Sequence, residues 1–245
     1  VNPNKVVYGT SGTTADYFVE WREQDIEWQE NICRKCLPDK QIIEQDRVTA
    51  SLLDHKRLLE IIQSFILYDN NIKKVARHQQ YFAVKHAMAR IKGEDGRDTR
   101  SGVIWHTQGS GKTALSYHLT HVLGDYYAKR NKVAKFYFVV DRLDLLEQAT
   151  QEFEARGLEV KTANSREELM AQFRTNQAQE GNSGNAEITV VNIQRFAQDH
   201  TAVRLKEYAT NLQRVFIIDE AHRGYDPKGC FLANLFDADP DSIKI

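Results

Sequence analysis

The stretch SGVIWHTQGSGKTALSYHLT, residues 101–120, decides the fold. Its first apolar run, 102–105, predicts a buried strand, and 114–123 predicts a helix with Leu115, Leu119, Val122 and Leu123 on one face. Between them Gly109 and Gly111 allow backbone angles closed to other residues. A chain so bent can wrap an anion with its N–H groups, and the helix N-terminus adds a positive dipole end. Lys112 would reach the β- and γ-phosphates of a nucleotide, and the Thr113 hydroxyl would hold Mg²⁺, a cation that prefers oxygen ligands. The longer phosphate-loop pattern G-x-x-x-x-G-K-[ST] begins with glycine, where this chain has His106. The shorter form is intact: Gly109, Ser110, Gly111, Lys112, Thr113.

A second stretch, RVFIIDEAH at 214–222, is an apolar run that ends in two carboxylates. A strand meeting solvent would account for it plainly. As a Walker B strand, it would instead hold Mg²⁺ through water at Asp219 and polarise the attacking water with Glu220. The two stretches follow in the order a P-loop NTPase requires, about one hundred residues apart.

Around these stretches the chain alternates. Strands are expected at 135–141, 160–162, 186–193 and 215–219, and helices at 112–130, 142–156, 166–174 and 204–208. Alternation of this kind means an α/β fold with a mostly parallel sheet flanked by helices, and with ligands at the carboxyl edge of the strands. Upstream, periodicity predicts one amphipathic helix over 49–68 and a second over 73–91, broken at Asp69-Asn70-Asn71. Residues 92–101 and 177–185 read as loops. Residues 1–50 read as a helical or irregular extension.

The composition is that of an ordinary globular chain: 245 residues, 41% hydrophobic, 27% charged and a formal net charge of −1. The charge announces no nucleic acid, although a neutral total leaves room for a local basic groove. No apolar run approaches a membrane span, and the N-terminus lacks the features of a signal peptide. Three cysteines make no disulfide framework, which fits a reducing cytoplasm. Cys33 and Cys36 form C-x-x-C without a second ligand pair, so two ordinary thiols are expected.

With GSGKT and DEAH placed, the chain resembles superfamily 2 helicases and translocases, and more narrowly the motor (R) subunit of type I restriction enzymes. The carrying residues are IWHTQGSGKT at 104–113, VVDRLDLLEQ at 139–148, VVNIQRF at 190–196, FIIDEAHRG at 216–224 and the helical lead-in at 55–84. The resemblance implies a RecA-like P-loop domain that binds ATP and Mg²⁺ and couples hydrolysis to translocation of double-stranded DNA before cleavage. It makes 1–50 the end of an upstream nuclease-type domain and linker, and 51–245 the first motor domain, cut before motif III. A second motor domain with an arginine finger, the nuclease residues, and separate methyltransferase and specificity subunits would lie elsewhere.

The resemblance also assigns roles. In RHQQYFA, 77–83, Gln80 would bond adenine with Arg77 in support, the alternative being an exposed helix face. Asp141 and Arg142 match a motif that lies against the DNA backbone, as do Asn192, Gln194 and Arg195. The alternative for both arginines is a solvated charge at a strand end. His222 would couple the ATP site to neighbouring motifs. Two further readings stay open: another superfamily 2 helicase or remodeller-like ATPase, or a nucleotide-binding module without activity of its own.

Overall fold

The structure, a computed structural model, describes residues 2–107, 109–163, 165–174, 186–192, 211–220, 236 and 239–245. The chain divides into two compact units, Val1–His86 and Ala87–Ile245. That compact division falls within a helix.

The first unit begins with a short antiparallel pair, β1 (Val7–Tyr8) and β2 (Val19–Glu20). Helices α1 (Ile26–Cys36), α2 (Glu44–Leu52) and α3 (His55–Ser64) follow. A hairpin of β3 (Ile66–Asp69) and β4 (Ile72–Val75) leads into α4 (His78–Ile91). Two expectations are corrected here. The single helix over 49–68 is two helices and a strand. Asp54 ends the first helix and caps the second, its carboxylate accepting the N–H groups of Lys56 and Arg57. The helix expected from residue 73 starts at His78, because Ile72–Val75 is a strand. Asn70 and Asn71 take φ of 49° and 65°, the left-handed pair of a two-residue hairpin turn, a conformation asparagine tolerates.

The unit's core is aromatic. Trp21, 3% exposed, packs against Tyr8, Tyr81 and Phe82. The Arg57 guanidinium lies 4.2 Å from the Trp28 ring centroid and 5.3 Å from that of Trp21, and it is ion-paired to the buried Glu23 carboxylate. The cation is thus desolvated only where a carboxylate and ring faces replace water. Cys33 is buried in α1 and Cys36 is exposed, and both are free thiols.

The second unit is the expected α/β layer structure. Helix α5 (Lys112–Ala128) precedes β5 (Val133–Val140), α6 (Leu143–Ala155), β6 (Glu159–Ala163), α7 (Arg166–Arg174), β7 (Glu187–Asn192), β8 (Leu212–Ile218) and β9 (Ile243–Lys244). The five strands form one parallel sheet in the order β6-β7-β5-β8-β9. Near-continuous burial of β5, β7 and β8 follows from helices on the sheet faces, and it explains their unbroken apolar runs. Helix α5 buries residues all round, including Ser116 and Thr120. Their hydroxyls donate to the carbonyls of Lys112 and Ser116 one turn back, so burial costs them no hydrogen bond.

One strand is corrected. Among the described residues the buried strand expected at 102–105 forms no ladder: Ser101 makes a parallel bridge to Lys244, with the Gly102 N–H donating to the Lys244 carbonyl. Val103 and Trp105 are 81% and 85% exposed. The expected helix at 204–208 and loop at 177–185 lie outside the described residues.

The core carries a direct stability test. Phe153 is fully buried and its ring meets Phe138 edge-on, with centroids 5.1 Å apart. Phe153→Ala should cost roughly 3–5 kcal/mol, transfer plus cavity, read as a lowered midpoint in denaturant. A loss below about 1 kcal/mol would mean that α6 is not seated on the sheet in this way.

Candidate functional site

The phosphate-loop glycines have the backbone that the sequence requires of them. Gly109 has φ 74° and Gly111 φ 83°. Gly111 is the N-cap of α5, and its carbonyl accepts the Leu115 N–H at 3.0 Å. The first N–H groups of α5 therefore have no helical partner, which makes that end a seat for an anion. Ser110 donates its N–H to the Thr107 carbonyl at 3.2 Å, and its hydroxyl lies 3.2 Å from His106 Nδ1. Thr113 is half-buried in the first turn of α5.

The carboxylate pair arrives from β8. The Asp219 N–H donates to the Val139 carbonyl at 2.9 Å, which prolongs the pairing of β8 with β5 to the strand tip. Glu220 then turns with φ 52°, a conformation costly for a non-glycine residue, and its N–H donates to Asp219 Oδ1 at 3.0 Å. The turn directs the Glu220 side chain to the phosphate loop: Lys112 Nζ lies 2.5 Å from Glu220 Oε1 and 3.6 Å from Asp219 Oδ1. Residues 108 positions apart thus meet at one sheet edge. The hydrogen bond to Glu220 raises the pKa of the Lys112 ammonium, helped by the charge of Asp219 and opposed by partial burial. Burial, and then the Lys112 charge, push His106 below the ordinary imidazole range.

Oxygen donors suited to Mg²⁺, the Thr113 hydroxyl and the Asp219 carboxylate, belong to the two elements this ion pair joins. Among the described residues no group of three or more His, Cys, Asp or Glu could hold a metal.

Asn192, fully buried, ends β7 opposite Val140 of β5, so Asp141 and Asn192 stand at the carboxyl edge of neighbouring strands. Asp141 is half-buried, and its Oδ1 is shielded, with no hydrogen-bond partner among the described residues. Arg142 is exposed and grips Asp144 at 3.0 and 2.8 Å. Gln80 belongs to the first unit and is 5% exposed, which removes the exposed-face alternative. Its Oε1 accepts the Arg77 N–H at 2.9 Å, half of a capping box at the start of α4, while Arg77 is exposed. Gln194, Arg195 and His222 lie outside the described residues. The sequence reading did not foresee the contact of His106 with Ser110. Its one signal was a side chain able to hydrogen-bond where the longer pattern has glycine.

Comparison with known proteins gives the family. The model of the SWI2/SNF2 ATPase family matches residues 79–240, well over half of the chain. A type I restriction enzyme endonuclease subunit of Staphylococcus aureus is 32% identical over 173 residues, covering 68% of this chain and 17% of the relative. The HindI endonuclease subunit of Haemophilus influenzae is 31% identical over 181 residues, covering 70% and 16%. The MjaVIIP endonuclease subunit assigned in Methanocaldococcus jannaschii is 37% identical over 131 residues, covering 50% and 12%. The chain thus spans less than a fifth of the length of these relatives. Among the described residues no helix is long and apolar enough to cross a membrane. By its matched domain the chain belongs to the SWI2/SNF2 ATPase family and is a homologue of the endonuclease subunits of type I restriction enzymes.

Proposed function

We propose that this chain is the first motor domain of a type I restriction motor subunit, and that it binds ATP and couples hydrolysis to movement of double-stranded DNA before cleavage. The observation that carries the reading is the meeting of Lys112 with Glu220 and Asp219 beside a left-handed glycine loop. An ammonium, a helix N-terminus and two carboxylates at one edge have complementary work in phosphoryl transfer. The first two take the phosphate charge, and the carboxylates handle metal and water.

The loop N–H groups of Gly109, Ser110 and Gly111 would cradle the phosphates, and Lys112 would leave its carboxylates to neutralise the γ-phosphate. Thr113 and Asp219 would hold Mg²⁺, which supplies charge neutralisation at the phosphates. Glu220, released from Lys112, would orient and polarise the water whose oxygen bonds to the γ-phosphorus as the bond to the ADP oxygen breaks. Gln80, with Arg77, would select adenine. DNA would run over the strand tips carrying Asp141, Arg142 and Asn192, and over Gln194 and Arg195. Arg142 could trade Asp144 for a phosphate cheaply, since an exposed ion pair is worth at most about 1 kcal/mol. His222 would relay the state of the ATP site. Residues 1–50 would close an upstream nuclease-type domain, 51–245 would form the motor domain, and methyltransferase and specificity subunits would complete a cytoplasmic assembly.

The test is ATP hydrolysis by the full-length protein with Mg²⁺, with and without duplex DNA. DNA-stimulated turnover is expected. Tight ATP binding with no turnover under either condition would favour a nucleotide-binding module instead.

A further inference from the structure

We propose that His106 is a positioning residue for the phosphate loop: its ring, bonded through Nδ1 to the Ser110 hydroxyl, holds the loop backbone in the shape that receives nucleotide phosphates. The inference rests on the nucleotide-binding reading above and adds a residue to it.

Among the described residues, apart from chain neighbours, no heavy atom lies within 4 Å of where a Gly109 side chain would begin. Two hydrogen bonds tie the loop at Ser110. The Ser110 N–H closes a backbone turn on Thr107 at 3.2 Å, and the Ser110 hydroxyl meets His106 Nδ1 at 3.2 Å. Together they tie residue 110 to the chain entering the loop by both its backbone and its side chain. Ser110 directly precedes Gly111, the cap of α5, so fixing Ser110 fixes the direction of the N–H groups that follow.

The bond suits a neutral ring, and both half-burial and the Lys112 ammonium favour the neutral form. The contact is satisfied in either tautomer, since the hydroxyl donates to a bare Nδ1 or accepts from a protonated one. A loop already tied in its receiving shape loses less backbone freedom when the nucleotide binds. A glycine at 106 would leave the loop free to bend but give it no such tie. The ring touches neither phosphate nor water in this scheme. Its contribution falls on nucleotide affinity and leaves the chemical step largely alone.

The experiment is a double-mutant cycle in the full-length protein, with equilibrium ATP affinity and ATP turnover measured separately. His106→Ala should weaken ATP binding about fivefold, the weight of one ordinary hydrogen bond, with kcat changed by less than about twofold. Ser110→Ala should weaken ATP binding by a similar factor, and the double variant should bind no worse than either. His106→Asn, whose amide reaches about where Nδ1 lies, should restore most of the affinity. Additive losses in the cycle would overturn the inference. So would an Asn variant as weak as Ala together with a lowered melting temperature of the nucleotide-free protein, which would make the ring a packing residue. Wild-type binding is measured first. Failure to bind ATP there sinks the nucleotide reading and this inference with it, whereas sound wild-type binding with an additive cycle sinks this inference alone.

Discussion

Glu220→Gln is expected to leave ATP binding intact and to lower hydrolysis in the full-length protein by roughly 10²–10⁴-fold, the range a positioned general base contributes. Glutamine keeps the length and the acceptor oxygen of Glu220, so the left-handed turn at φ 52° carries the same backbone cost in both proteins. What it removes is the charge that polarises water. The ion pair adds a second expectation. Lys112 is held 2.5 Å from Glu220 Oε1, so incoming phosphates must compete with that carboxylate for the ammonium. A neutral amide competes less, and ATP affinity of the variant should equal or exceed that of the wild type. The measurements are nucleotide affinity, ATPase rate and DNA cutting. Near wild-type hydrolysis would remove Glu220 from the role given to it. Lost hydrolysis with normal DNA cutting would instead reject a motor that must translocate before it cleaves.

Much of the second unit was legible because few other structures satisfy its pattern. Apolar runs such as that of Val133–Val140, alternating with helical periods, have no stable home except a sheet covered on both faces. The first unit was less legible because local and tertiary signals conflict there. Ile62, Ile66 and Leu67 fall at helical spacing, yet Ile66 and Leu67 belong to a strand that pairs with Lys74 and Val75. The two-asparagine turn fixes that pairing, and a reader of periodicity alone takes such a turn for a helix break. Residues 102–105 mislead differently. They have a strand's composition, but a ladder also needs a partner, and among the described residues pairing here is limited to the bridge between Ser101 and Lys244.

At the site, residue types and spacing identified Lys112, Asp219 and Glu220 from chemistry, because costly charges at a strand tip and a glycine loop ask for the same ligand. Spacing could not reveal that these residues form ion pairs with one another. Nor could it reveal that Gln80 is buried with its carbonyl oxygen committed to the start of α4, a consequence of how the aromatic core of the first unit sets that helix.

Lys112→Ala is expected to weaken ATP binding by about 10–100-fold, the weight of one charge-assisted bond, and to abolish DNA cutting with it. The removed ammonium also neutralises Asp219 and Glu220, at 3.6 and 2.5 Å. Without it, two carboxylates at the strand tip face an incoming polyphosphate, and like charges add their repulsion to the lost contact. That extra loss separates this reading from one in which Lys112 is only a phosphate ligand. In the double variant Lys112→Ala with Glu220→Gln, one of the repelling charges is gone. ATP binding should then recover part of what Lys112→Ala lost, even though hydrolysis stays at the floor set by Glu220→Gln. Affinities measured at two salt concentrations sharpen the test, because screening should narrow the gap between single and double variants. If the double variant binds ATP no better than Lys112→Ala at either concentration, Glu220 exerts no charge on the nucleotide seat, and the competition between carboxylate and phosphate for Lys112 must be given up.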